Sequence, residues 1–466
     1  MADLTNGMVE AVSDALNKVV TPVKRFIQKK EGFDLAEDET GVQCIKDAEE
    51  YYKLAVKEQK PLLRVWYKSL AYYMGLQWLD WNESMNWLAE PTAPSWRVRL
   101  VCNLVMPTIR NRVAKILRSN PNFRCVPASD SKESRDGAKV GDRVLEAKYY
   151  EDDFQRKLYN LTMWFSVCGS SFLWSLWDGT VGKSWSDKSI DPQTGQPILD
   201  ETGQPAMQTY YEGDVIHDVS GPFETLLEPN APEDFNEHRR IMRVKVRPVS
   251  YLEEKYGKKV PTEEIGGETL FQSRVGSLIS GASIGGPATL TNRVRDSAIV
   301  KEYFELPSIK YPNGRHFAYA NGVMLVELED LDYYYRGKRA LPVAKFDDIT
   351  VPGRSWAMSV IEQIAPINIT YNKMSSQVIE NCNLMSRPKV LSPQGSLDED
   401  QFTSEPGEVV EYVPIGGLRP EPYKPPEMPQ YFFHMKDSLP GLIARISGNY
   451  EVSRGKLPRR ATSGKA

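Results

Sequence analysis

The chain has 466 residues, with 58 Lys+Arg against 62 Asp+Glu and a formal net charge of −4. Hydrophobic residues make up 41% and aromatics 10%, enough for a sizeable core and too much for a mainly disordered chain. The near balance of charge speaks against a simple basic DNA coat, which needs a net positive footprint. Cys44, Cys102, Cys125, Cys168 and Cys382 are widely spaced, so neither a disulfide framework nor a zinc site is supported, and isolated thiols fit a reducing compartment. No signal peptide or membrane span is expected, which points to the cytosol or an assembly built there.

Residues 1–45 read as an arm with one short amphipathic helix near Met8–Ile27. A helical pattern follows from Lys46 towards Tyr73, with Pro61 expected to split it. The aromatics Trp66, Tyr67, Tyr72, Tyr73, Trp78, Trp81, Trp87 and Trp96 suit a buried domain or protomer interface, or stacking on bases. Asn103–Arg118 reads as an amphipathic helix with Val105, Ile109, Val113, Ile116 and Leu117 on one side. Arg110, Arg112, Lys115 and Arg118 cover the rest. Residues 91–129 hold seven basic side chains and no acid. That field suits phosphates, an acidic neighbouring subunit, or solvent.

Arg135–Phe165 reads as one long mixed-charge helix, broken at Cys168-Gly169. Strands are expected at Phe172–Trp177, Pro222–Glu228 and Arg239–Val246. The repeat of Thr-Gly-Gln-Pro at 194 and 202 marks an exposed hairpin loop. Val249–Tyr256 is a short helix closed by Gly257. Residues 265–291 form a Gly/Ser-rich linker. Ile299–Leu306, His316–Ala320, Val323–Leu328 and Leu331–Tyr335 read as strands of a compact β-rich module.

Ser355–Met385 is a second amphipathic helix, expected to kink or restart at Pro366. Val360, Ile364, Ile367, Tyr371, Met374 and Val378 form a seam near heptad spacing. Off the seam lie Asn368, Asn372, Gln377 and Asn381, which suit packing in an assembly or a polar channel. Residues 386–430 are loop-rich and extended, with nine prolines. Phe432–Tyr450 is helical, and residues 431–466 hold seven bases and two acids.

Catalytic patterns are sparse. Gly179-Thr180-Val181-Gly182-Lys183-Ser184 is two residues short of a phosphate-binding loop. The acid pairs Glu329/Asp330 and Asp347/Asp348 alternate faces on a strand and do not converge. No enzyme, cofactor or metal is expected. A metal-dependent nucleic-acid-processing enzyme stays open as an alternative.

The order of parts carries a resemblance. Tyr72-Tyr73-Met74-Gly75-Leu76-Gln77-Trp78 is followed by Asn103-Leu104-Val105-Met106-Pro107 and the basic helix. Then come the β-rich module and Gly353-Arg354-Ser355-Trp356-Ala357-Met358-Ser359-Val360-Ile361-Glu362, opening the helix with Asn368 and Asn372. Arg387-Pro388 and Ile443-Ala444-Arg445-Ile446-Ser447-Gly448 follow. The chain resembles portal proteins of tailed bacteriophages, most closely those of short-tailed phages.

The resemblance implies an α+β portal fold with a helical/β wing, a β-rich clip and long stem helices. It implies a homo-oligomeric ring, a dodecamer, at one capsid vertex of the virion, built in the host cytoplasm. Double-stranded DNA would pass through its channel during packaging and ejection. Partners would be terminase, tail adaptor, major capsid and scaffolding proteins, with no membrane. It divides the chain into an arm (1–45), wing (46–260), flexible stem entry (261–296), clip (297–350), stem helix (351–385), and wing return with channel loop and start of the crown (386–466). Portals of this type continue past the Gly448 region, whereas this sequence stops at Ala466. Asn368, Asn372, Lys373 and Gln377 would lie near DNA. Lys310, Arg315, Arg336, Lys338 and Arg339 on the clip would face DNA, terminase or adaptor, or pair with acids of neighbouring clips. Arg110, Arg112, Lys115 and Arg118 would face a subunit or phosphates. Another virion protein, such as a tail adaptor, is the structural alternative.

Overall fold

The computed structural model of the chain describes residues 39–84, 87–118, 124–188, 207–230, 232–263, 296–335, 337–386, 390–394, 412–413, 416–417, 421–422 and 427–448. The expectations for the N-terminal arm up to residue 38, the Thr-Gly-Gln-Pro repeat, the Gly/Ser run, Arg336 and the basic tail past Gly448 lie outside them. The fold is mixed α+β. It divides into two compact units. The first takes residues up to Tyr67 and Val113–Val360; the second takes Lys68–Arg112 and Ile361 onward.

In the first unit, a five-stranded antiparallel sheet organises the core. Its order is β11 (Val323–Glu329), β10 (Arg315–Ala320), β9 (Ser297–Glu305), β8 (Arg240–Pro248) and β7 (Thr225–Leu227). Helix α1 (Glu39–Met74) lays Cys44, Ala48, Tyr51 and Ala55, spaced four, three and four apart, on one face of this sheet. There they meet Leu226, Met242, Tyr303, Phe317 and Tyr319. Pairing puts Ile241 opposite Phe304, one residue out of step, so both point to the other face. Phe172 and Trp174 of β3 (Ser170–Asp178) pack there, as do Leu227 and Leu331. Helix α5 (Val249–Tyr256) covers the rest of that face with Leu252.

Strand β3 lies between β14 (Val343–Asp347) and β6 (Asp214–Ser220) in a second sheet. The β3/β6 pair continues as β4 (Ser184–Lys188) and β5 (Met207–Tyr211) into a long ribbon. The run Gly179–Ser184 is a turn within it. Asp178 Oδ1 accepts from Thr180 N–H and Oγ1–H at 2.9 and 2.6 Å, and the Lys255 ammonium sits 2.6 Å from Asp178.

Four expectations need correction. Strands 297–350 do not form a module of their own. Strand β9 is buried along both faces and pairs on both edges, so it recruits β8 from residues 240–248, while β14 pairs with β3. The helix over 135–165 is two helices, α3 (Lys132–Glu151) and α4 (Phe154–Cys168), because Asp153 adopts a left-handed φ of +45°. Helix α1 runs unbroken through Pro61. Helix α6 (Val360–Ser386) does not restart at Pro366, which lies inside it, and it starts five residues later than Ser355.

The second unit holds the hairpin β1 (Asp80–Asn82) and β2 (Trp87–Ala89), the first turns of α2 (Val105–Arg118), most of α6, the small pair β15 (Val390–Leu391) with β16 (Glu421–Pro422), and α7 (Gln430–Ile446). Gly75 ends α1 at φ +91°, with Leu76 N–H bonded to Ala71 C=O at 2.8 Å. That left-handed step is cheap only for glycine, and an added Cβ would crowd Asn103 Nδ2 at 3.3 Å. It turns the chain so that Gln77 enters the interior, 5% exposed.

Candidate functional site

Within the second unit, an extended segment lies along α6 and is held by side chains alone. Leu104, Cys102, Leu100 and Val98 donate their main-chain N–H groups to Asn368 Oδ1 (3.1 Å), Asn372 Oδ1 (3.0 Å), Ser376 Oγ (3.0 Å) and Glu380 Oε1 (3.0 Å). The donors are alternate residues and the acceptors recur every fourth residue. Four helical residues advance about 6.0 Å, and two extended residues advance about 6.6 Å. The two rows therefore stay in step over three intervals, and the helix replaces a neighbouring strand. Ser376 Oγ–H donates to Asn372 C=O at 2.8 Å, which leaves its lone pairs for Leu100.

Gln77 locks the row. Since Asn368 and Asn372 spend Oδ1 on the main chain, their Nδ2 groups must donate elsewhere, and both donate to Gln77 Oε1. The Gln77 Nε2 then donates to Asn103 Oδ1 at 3.1 Å and Tyr72 C=O at 3.4 Å. Asn103 Oδ1 caps α2 by accepting from Val105 and Met106 N–H at 3.1 Å each. Three separate pieces of the sequence motif, 72–78, 103–107 and the asparagines of α6, thus meet in one buried polar cluster.

This corrects the expectation for Asn368 and Asn372. Each is 1% exposed and fully engaged, so neither side chain faces a channel. Lys373 and Gln377, from the same set, are exposed on the opposite face of α6 with Gln363 and Thr370. That face carries one base and no acid. Nearby, Asp80 bonds the Lys68 ammonium at 2.7 Å and accepts from Trp81 N–H, and both hold its carboxyl below the usual range.

The seam is packed within the chain: Val360, Ile364 and Met374 are buried, and Ile367, Tyr371 and Val378 are partly buried. On α2, Arg110 and Arg118 are exposed without an ion pair to another described residue, Lys115 is exposed and Arg112 half-buried. Ser376, Glu380 and Gln77 were missed as site residues. The signal for Ser376 and Glu380 was the four-residue spacing of acceptors from 368 to 380, and Gln77 lay inside the motif at 72–78.

The bases of residues 306–339 are mostly spoken for. Arg315 is 5% exposed, bonds Glu305 Oε2 at 2.6 Å and stacks on Tyr311 at 4.0 Å, so it faces neither DNA nor a partner. Arg339 donates to Asn313 C=O and lies 3.6 Å from Asp332. Lys310 is exposed, 3.4 Å from Asp47, and Lys338 is exposed.

Of the aromatics, Trp66 and Tyr67 are buried against Phe223, with Trp66 also 4.9 Å from Trp356, whereas Trp96 is 71% exposed. Among the described residues, no group of three or more His, Cys, Asp or Glu is placed to hold a metal, and no helix is long and apolar enough to cross a membrane. No protein-family model matches the chain, and no curated protein matches it significantly.

Proposed function

We propose that the chain is a portal-type subunit: a ring-forming protein whose channel passes double-stranded DNA and whose rim docks a terminase and then a tail adaptor. The observation that carries this reading is the convergence at Gln77. The segments whose order resembles the portal family are far apart in sequence, yet they meet in one hydrogen-bonded cluster around α6.

In this reading, α6 is the stem helix and its exposed face, with Gln363, Thr370, Lys373 and Gln377, lines the channel. Neutral polar side chains wet the wall without gripping. Each phosphate neutralised by a base would add salt-sensitive affinity and slow sliding, so a single lysine per helix suits a conduit. Arg315 and Arg339 are spent on intrachain partners and add no grip. Lys310 and Lys338 remain for the docking rim. No bond is made or broken, and the work of translocation belongs to the partner motor.

Light scattering tests this directly. Purified protein should have a mass that is a large multiple of 52.9 kDa and should leave DNA uncut in magnesium. A monomer would overturn the reading, and magnesium-dependent cleavage would favour a nucleic-acid-processing enzyme instead.

A further inference from the structure

The ladder on α6 uses only one edge of the extended segment 98–104. In an extended chain, successive N–H and C=O groups point in opposite directions. Those of Val98, Leu100, Cys102 and Leu104 face α6. Those of Arg99 and Val101 therefore face away, and they have no hydrogen-bond partner among the described residues. Val101 is 40% exposed. This is an open strand edge, backed by a rigid helix and already held extended, the geometry that accepts an added strand.

The surroundings define what would pair with it. In the part of the second unit around the edge, Arg99 is already bonded to Glu90, whereas Arg110 is exposed without an ion pair to another described residue. Arg97 beside the edge is exposed. The added strand should be acidic. The same chain contains such a run: residues 390–418 hold Asp398, Glu399, Asp400, Glu405, Glu408 and Glu411 and no base. Glu408-Val409-Val410-Glu411-Tyr412-Val413 within it is rich in strand-forming residues. Tyr412 and Val413 are 48% and 62% exposed.

We propose that the open edge at Arg99–Val101 of one copy is paired by the acidic run 390–418 of a second copy. Such a contact joins two different patches, so it is heterologous, and repetition of it closes rings. The proposal rests on the reading of the chain as a self-assembling subunit.

Val101→Pro tests it in the full chain. Proline removes the outward N–H and tolerates extended backbone, and no hydrogen bond to another described residue is lost. The thermal melt of the unassembled chain should be unchanged, while association weakens on the order of tenfold per contact. A second measurement locates the strand. A photo-crosslinking benzoyl-phenylalanine at position 101 is irradiated in an assembly mixed from ordinary and 15N-labelled copies. Mass spectrometry should find links from a light copy to peptides of 390–418 in a heavy copy. Links confined to one copy, links to other peptides, no links, a lowered melt or undiminished assembly of Val101→Pro would each overturn the proposal. A monomeric wild-type protein would sink the portal reading itself; a wild-type ring indifferent to Val101→Pro would sink only this contact.

Discussion

The two units are stabilised by different means. The first relies on apolar burial across a sheet, with Trp174, Ile241, Phe304, Phe317 and Tyr319 all fully enclosed. Its buried cations are matched by acids: Arg243 lies between Asp218 and Glu302, and Lys301 meets Glu49. The second holds an extended segment to a helix through two asparagines, a serine, a glutamate and a glutamine. Apolar packing tolerates volume-conserving swaps. A hydrogen-bond ladder does not, since losing one acceptor strands a main-chain N–H. The first unit should therefore be robust in sequence and the second exacting.

The largest expected effect is a cavity in the first unit. Phe304→Ala should cost about 4 kcal/mol, read from denaturant unfolding. Hydrogen exchange should speed up in β8 and β9 while residues 98–104 keep their protection. Next, Asn372→Leu preserves volume but removes the acceptor for Cys102 and a donor to Gln77, and should cost about 3 kcal/mol. Here the pattern should reverse, with faster exchange in 98–104 and protected strands. If both variants loosened both regions equally, the contrast would fail.

A smaller effect separates the units by pH. Burial pushes the imidazoles of His238 and His316, both in the first unit, below the ordinary histidine range. The folded state keeps them neutral while the unfolded chain takes up protons below pH about 6.5. The unfolded state then binds more protons, so stability falls as pH drops from 7.5 to 5.5. The thermal midpoint should fall over that window, and His316→Phe, which keeps the stack on Phe304 at 4.3 Å, should reduce the fall. The smallest effect is at the rim. Replacing Lys310, whose exposed side chain lies 3.4 Å from Asp47, by Ala should leave the thermal midpoint nearly unchanged.

These regions also differ in how legible they were. Periodicity located the strands from Arg239 to Leu328, because burial on one or both faces leaves an apolar record in the sequence. It did not show that β9 would join β8 across the Gly/Ser run, since strand partners are set by pairing over long separations. The split between α3 and α4 turns on one left-handed residue, Asp153, inside a run that is otherwise helical throughout. The asparagines of α6 stood out for their lack of charge. Their role was hidden because a buried amide and a channel-facing amide look alike until the partner segment is known. That partner lies some 270 residues away, and only the matched rises of helix and strand reveal it.

Images of the purified protein test assembly around a polar-walled channel most directly. Negative-stain class averages should show rings with a stain-filled central hole wide enough for a DNA duplex. Particles of monomer size, or compact particles without a hole, would contradict it.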